Sequence, residues 1–138
     1  MSAPLRRWPS WALLAMDLID NERAARDLPV VPTGLTYDET IDSIPRYTVT
    51  VIDSWSDRLE AAVTIDIDSL GKSYTEAERL AYDVDDIFMG YPLSTVSGGR
   101  VVLVDKVEVV SSPVEIDLGE DTSTRRFLAT YQLVVRRG

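Results

Sequence analysis

The sequence predicts an α/β (α+β) domain, in which a mostly antiparallel or mixed sheet of about four to five strands is flanked by two helices. Three patterns carry that expectation. Phe127, Ala129, Tyr131, Leu133 and Val135 recur at every second position against Thr130 and Gln132, so the last stretch reads as a strand with a core side and a wetter side. Val63, Ile65 and Ile67 alternate with Thr64, Asp66 and Asp68, giving a strand with one buried and one acidic face. Ala77, Leu80, Ala81, Val84, Ile87 and Phe88 recur at spacings of three and four, the stripe of an amphipathic helix.

Taken in order, the first helix is expected over residues 10–26. Ser10 serves as its N-cap, and Trp8, Trp11, Leu14, Ala15, Leu18 and Ile19 form its apolar side. Leu28-Pro29-Val30-Val31-Pro32 carries two prolines, which allow only an edge strand or an extended connector. Residues 33–45 read as a polar link. Tyr47, Val49 and Val51 alternate with Thr48, Thr50 and Ile52 in a β-branched strand, and Asp53-Ser54-Trp55-Ser56-Asp57-Arg58 reads as a turn or longer loop. The second helix has two competing capping boxes, Thr75 with Glu78 and Ser73 with Glu76. Gly90 is placed as its C′ residue and Pro92 as its stop. Residues 93–99 read as a Ser/Gly loop, with Ser97-Gly98-Gly99-Arg100 as a hairpin-type connection. A long valine-rich strand follows over 100–112. Over 113–124, Val114, Ile116 and Leu118 alternate with Glu115 and Asp117, so this acidic segment is expected to extend as an assembly arm. The last strand returns antiparallel to it.

At 138 residues the chain is expected to be one domain, residues 1–138, long enough to bury its own core. It has no cysteine and no histidine, which removes disulfides, thiolate metal sites and the commonest general base. A net charge of −9 works against a nonspecific grip on nucleic acid or an anionic membrane. Asp17, Asp20 and Asn21 interrupt the early apolar stretch, so no signal peptide or membrane span is expected, and the chain reads as soluble and intracellular where made.

No chemistry-bearing motif rises from this background. Asp83, Asp85 and Asp86 on the second helix, and Glu115, Asp117, Glu120 and Asp121 later, lack the spacing of a calcium loop and read as solvated faces. The glycine pair precedes a strand, where a phosphate cradle needs a helix N-terminus. Serines have neither a histidine base nor a nucleophile elbow. Trp8 and Trp11 read as core or subunit packing. Arg125-Arg126 and Arg136-Arg137 bracket the final strand and suit salt bridges between subunits. The reading is therefore not an enzyme, with no catalytic, cofactor-binding or metal residues assigned.

The order of elements, rather than any site, points to a family. The set runs from the first helix and Leu28-Pro29-Val30-Val31-Pro32 through Arg46-Tyr47-Thr48-Val49-Thr50-Val51 and Val63-Thr64-Ile65-Asp66-Ile67-Asp68. It continues through Thr75-Glu76-Ala77-Glu78-Arg79-Leu80-Ala81 and Val101-Val102-Leu103-Val104-Asp105 to the Ser112-Pro113 break and the closing Ala129-Thr130-Tyr131-Gln132-Leu133-Val134-Val135-Arg136. It resembles the tail-terminator (tail-completion) proteins of long, non-contractile tailed bacteriophages, particularly those of actinobacterial phages. One departure is that Asp53-Ser54-Trp55-Ser56 stands where many such proteins place a Gly-Gly turn.

The resemblance implies a structural virion protein that caps the tail tube as a homohexameric ring, ends tube polymerisation and offers the head-docking surface. Its partners would be copies of itself, the tail tube protein and a head-completion or connector protein, with DNA passing through the lumen without specific binding. Its place would be the head-proximal end of the tail, after assembly in the host cytoplasm. In such a ring Val114, Ile116, Leu118, Arg125, Arg126 and Arg136 are expected at the subunit interface, and Asp66 and Asp68 at the lumen. The rival readings are a head-completion or connector protein of the same virion, and a small metal- or ligand-binding α/β domain using the Asp66/Asp68 face.

Overall fold

A computed structural model describes residues 8–37, 42–116 and 124–137. The elements run α1 (Trp11–Ala25), β1 (Thr33–Gly34), β2 (Arg46–Ser56), β3 (Glu60–Gly71), α2 (Tyr74–Met89), β4 (Leu93–Ser97), β5 (Arg100–Ile116) and β6 (Arg125–Arg137). The class is α+β, as expected. The sheet has six strands rather than four to five, in the order β1-β2-β3-β6-β5-β4. The additions are short edge pieces. β1 is a two-residue strand parallel to β2 inside the expected polar link, and β4 occupies the expected Ser/Gly loop. β4 escapes a hydrophobic reading because two of its three inward residues, Thr95 and Ser97, are hydroxylic; only Leu93 is apolar.

β3 and β6 form the centre. They pair antiparallel from Glu60↔Arg136 to Gly71↔Arg125 with no register shift. Ala61, Val63, Ile65 and Ile67 on β3, with Ala129, Tyr131, Leu133 and Val135 on β6, are buried beneath the helices. The intervening residues turn to the other face. The flanking strands hold this phase only by bulging. On β2 the register shifts between Val51 and Asp53, leaving Ile52 as the extra residue. Val49 and Val51 thus stand opposite Ile67 and Ile65, whereas Asp53 and Trp55 stand opposite Thr64 and Ala62 on the outer face. Without the bulge, Asp53 would continue the inward phase. The expected loop at residues 53–58 is therefore mostly strand, and the turn is confined to Asp57, Arg58 and Leu59. There the Asp57 carboxylate accepts from the Leu59 and Glu60 amides at 2.7 and 2.9 Å, holding its pKa below the usual value.

β5 uses the same device. A shift between Val104 and Lys106 makes Asp105 the extra residue, so Val102 and Val104 are followed inward by Val107 instead of Lys106. The strand then runs to Ile116, with Val114 opposite Leu128 and Ile116 opposite Arg126. Within the arm expected at 113–124, Val114 and Ile116 thus pair with the chain's own β6, and residues 117–123 lie outside the described residues. Pro113 falls in the irregular step between Ser111 and Val114, where no ladder amide is required of it. Leu118 lies outside the described residues. The β4–β5 connection is the expected hairpin. Ser97 pairs with Arg100, and Gly98 and Gly99 supply φ of 59° and 75°, values a two-residue turn requires.

Both helices lie on one face of the sheet. α1 starts from Ser10, whose hydroxyl accepts from the Leu13 amide, and it buries Leu14, Ala15, Leu18 and Ile19. Trp8 precedes the helix, donating from Nε1 to the Asp57 carbonyl at 2.7 Å and packing 5.3 Å from Trp11. The helix ends in a Schellman turn. Leu28 N–H reaches the Arg23 carbonyl, Asp27 N–H reaches Ala24, and Asp27 takes φ of 56°, a conformation Asp tolerates better than most. For α2, Ser73 wins the capping competition. Its hydroxyl accepts from the Glu76 amide, and the Glu76 carboxylate accepts from the Lys72 amide. Every residue of the expected stripe is buried. Gly90 ends the helix as C-cap with φ of −81°, so it is not the left-handed C′ residue expected. Gly71 is needed for a close approach: a Cβ there would sit 2.6 Å from the Ala77 backbone nitrogen, against the first turn of α2.

The Schellman turn folds the chain back over the end of α1, and this positions a buried cation. Arg23 is 4% exposed. Its Nε and Nη2 donate to the Pro29 carbonyl at 3.1 and 2.9 Å, and Nη1 donates to the Tyr47 hydroxyl at 3.1 Å and to Asp83 at 3.2 Å. Tyr47 in turn donates to the Leu80 carbonyl at 2.7 Å. One side chain thus joins α1, the proline segment, β2 and α2. Arg23→Met should cost about 2–4 kcal/mol, because the Pro29 carbonyl and the partly buried Asp83 lose their donor together. Tyr47→Phe should cost about 1–2 kcal/mol. Urea unfolding at unchanged m checks both. A loss under about 0.5 kcal/mol for Arg23→Met would mean that the network is incidental.

Candidate functional site

Both helices pack on one face of the sheet, and among the described residues no element packs on the other. On that face β3 presents Ala62, Thr64, Asp66 and Asp68, and β6 presents Arg126, Leu128, Thr130, Gln132 and Val134, all half-buried by one another. Period-two alternation on two unbulged strands puts them there. The sequence anticipated the acidic side of β3, and the structure adds what those acids do. Asp66 accepts from the Thr130 hydroxyl at 2.5 Å. Asp68 accepts from Arg126 Nε at 2.5 Å and from the Thr48 hydroxyl at 3.3 Å. Asp68 is thus neutralised by a cation and Asp66 is held by a neutral donor, so Asp66 contributes the less compensated negative charge.

The expected interface residues scatter along this face and its edge. Val114 is 50% exposed, and Ile116 is half-buried. Arg125 is exposed at the end of β6, opposite Gly71. Arg126 is held by Asp68, and Arg136 Nε reaches Asp105 at 2.8 Å. Both arginines therefore have acidic partners within the chain, where the sequence suggested partners in another subunit.

On the helix side, two of the three acids read as a solvated cluster are in use. Asp83 receives Arg23, and Asp85 accepts from the Tyr131 hydroxyl at 2.8 Å. Burial raises the pKa of both Tyr47 and Tyr131, so both phenols stay protonated as donors to α2. Tyr131 also meets Phe88 edge-on at 4.8 Å. Sequence reading missed Arg23, although its place four residues after Ile19 on an apolar stripe was a usable signal. Among the described residues no group of three or more acids is placed to hold a metal ion.

Two concavities flank these features. One of about 420 Å³ is lined by Trp8, Pro9, Gly99, Val101 and Val102 with two arginines, and the Arg137 guanidinium lies 4.4 Å from the Trp8 ring centre. Another, of about 320 Å³, lies beside Arg23 and Asp83 between the proline segment and α2. In the second, the Arg23 donors are already engaged by Pro29, Tyr47 and Asp83.

No protein-family model and no curated protein matches the sequence. A solved structure aligns with 92% of this chain over 92% of its own length, at 17% identity and a TM-score of 0.44. A likeness that low carries no argument about fold or function.

The two ion pairs of the outer face should differ in worth. Asp68 and Arg126 have side chains 14% and 31% exposed, against 38% and 55% for Asp105 and Arg136. A double-mutant cycle of Asp68→Asn with Arg126→Gln should return a coupling of about 1 kcal/mol that shrinks in high salt. The corresponding Asp105–Arg136 cycle should return about 0–0.5 kcal/mol. Equal couplings would contradict the burial argument.

Proposed function

We propose that this chain is a structural assembly protein of the tail-terminator kind, which caps a phage tail tube as a ring. The ring ends polymerisation of the tube and offers a surface to the head, at the head-proximal end of the tail. The observation that supports this reading most is the one-sided sheet. Among the described residues nothing covers a broad, hydrogen-bonded, largely polar face, while the core lies between the other face and two helices. A face of that kind is rigid, because its side chains are bonded to one another, and it suits docking or lining a passage rather than enclosing a small substrate. The ordered likeness of the chain to the tail-terminator family gives the reading its specific form.

In the ring, Asp66 and Asp68 face the lumen. Negative charge there keeps DNA from adhering as it passes, since binding to the phosphate backbone needs cations. Pairing with Arg126 offsets Asp68, so Asp66 carries more of this role. The hexamer, the tube protein and the connector as partners, and assembly in the host cytoplasm, belong to the same proposal.

Particles made without this gene should show filled heads with abnormally long or unattached tails. Electron micrographs decide the matter. Tails of normal length joined to heads would overturn the reading, and co-purification of the protein with portal rings but not tails would favour the connector alternative.

A further inference from the structure

The sheet has two long edges that nothing among the described residues pairs with, and they lie at its opposite ends. β1 covers β2 only at Tyr47 and Thr48, leaving residues 49–56 open. β4 covers β5 only up to Val104, leaving residues 105–116 open, of which 105–112 precede Pro113. Both open stretches carry exposed apolar side chains. Ile52 and Trp55 are 54% and 58% exposed on β2, and Val109, Val110 and Val114 are 39%, 61% and 50% exposed on β5. An unpaired edge with apolar side chains is a template for another strand.

We propose that the β5 edge of one copy pairs antiparallel with the β2 edge of the next, so that the chain assembles head to tail through its sheet. Strand direction is the first reason. β2, β3, β6 and β5 alternate strictly, each antiparallel to its neighbour. With four strands the two outer ones run in opposite senses. A β5–β2 junction therefore continues the alternation across the boundary, with the stronger antiparallel pairing. Length is the second: residues 49–56 match residues 105–112.

Irregularity is the third reason, and it separates this junction from a symmetric one. β5 shifts register three times beyond Val104 and carries Pro113, so joining two β5 edges would set irregular strand on both sides of the seam. The open part of β2 has one shift and no proline. A junction between unlike edges is heterologous, and it closes into a ring or runs on as a filament according to its rotation. The inference deepens the proposed ring and rests on that reading for closure, though not for the pairing itself.

Two variants of the full chain test it, each adding two lysines. Ile52→Lys with Trp55→Lys blocks the β2 edge, and Val110→Lys with Ser112→Lys blocks the β5 edge. Light scattering across a concentration series should find each variant monomeric and their equimolar mixture dimeric and no larger, because one open β5 edge meets one open β2 edge. Wild type should go beyond a dimer, and more strongly as salt screens the −9 charge on each copy.

A dimer of either variant alone would show symmetric pairing and overturn the proposal. A wild type that stays monomeric throughout the series would also overturn it. Because the chain has no cysteine, a second measurement leaves the fold undisturbed. Asp53→Cys chains mixed with Glu108→Cys chains, both on the outer face and opposite each other when residues 49–56 run against 105–112, should oxidise mainly to mixed dimers. Predominant like-with-like dimers would overturn the pairing. A wild-type ring that survives both lysine pairs sinks the edge pairing and leaves the tail reading standing. Normal tails without the gene sink the tail reading and leave the edge pairing standing.

Discussion

Residue pairs join β3 to β6 without interruption from Glu60↔Arg136 to Gly71↔Arg125, and every other element is placed by that ladder. A slip of one residue would turn Asp66 and Asp68 inward and send Ile65 and Ile67 to the outer face, so the register is fixed by what each face can bear. The outer strands meet the same demand with less regular sequences. Each inserts an extra residue where its own alternation would bring a charged group inward, at Ile52 ahead of Asp53 and at Asp105 ahead of Lys106. The bulges keep the core apolar at the cost of local ladder bonds.

The helices are fastened to this sheet by apolar packing together with a few buried polar groups. Tyr47 and Tyr131 rise from β2 and β6 and donate to α2 through the Leu80 carbonyl and Asp85. Arg23 joins α1 and the proline segment to the same network. A guanidinium at this depth is tolerated because its donors have acceptors in place, including a carboxylate that still touches water. The left-handed Asp27 matters here at a distance, since the turn it makes delivers the Pro29 carbonyl to Arg23. Packing of the Ala77 and Leu80 to Phe88 stripe supplies bulk, and the polar bonds select one orientation among those the stripe would allow.

Residues that obey a single period are legible in the sequence alone. The β3 and β6 alternation, the α2 stripe and the Gly98-Gly99 turn all follow from neighbours a few positions apart. What escapes such a reading depends on distant partners or on a change of phase. β4 is hydroxylic on its inward side, so its strand character comes from pairing with β5. The end of β5 reads as an arm because Val114 and Ile116 lie beyond a proline, yet β6 supplies their partners. Asp83 and Asp85 read as solvated because their partners, Arg23 and Tyr131, lie far off in the chain. A usable signal for the Asp105 bulge is present, since the buried valines move from even positions, 102 and 104, to the odd position 107. On the candidate face, the sequence reveals the acids but not Thr130 or Arg126 as their holders.

Residue-resolved amide hydrogen exchange, first at high dilution and then at assembling concentration, tests the central claim that one chain completes its sheet and leaves its two outer edges for pairing with other copies. The account predicts that β3 and β6 amides exchange slowest under both conditions, and that residues 114–116 are already protected at dilution by pairing with β6. Outward amides within 49–56 and 105–112 should gain protection only on concentration. Unprotected amides at 114–116 in the dilute chain, or assembly that leaves both edges exchanging as before, would contradict it.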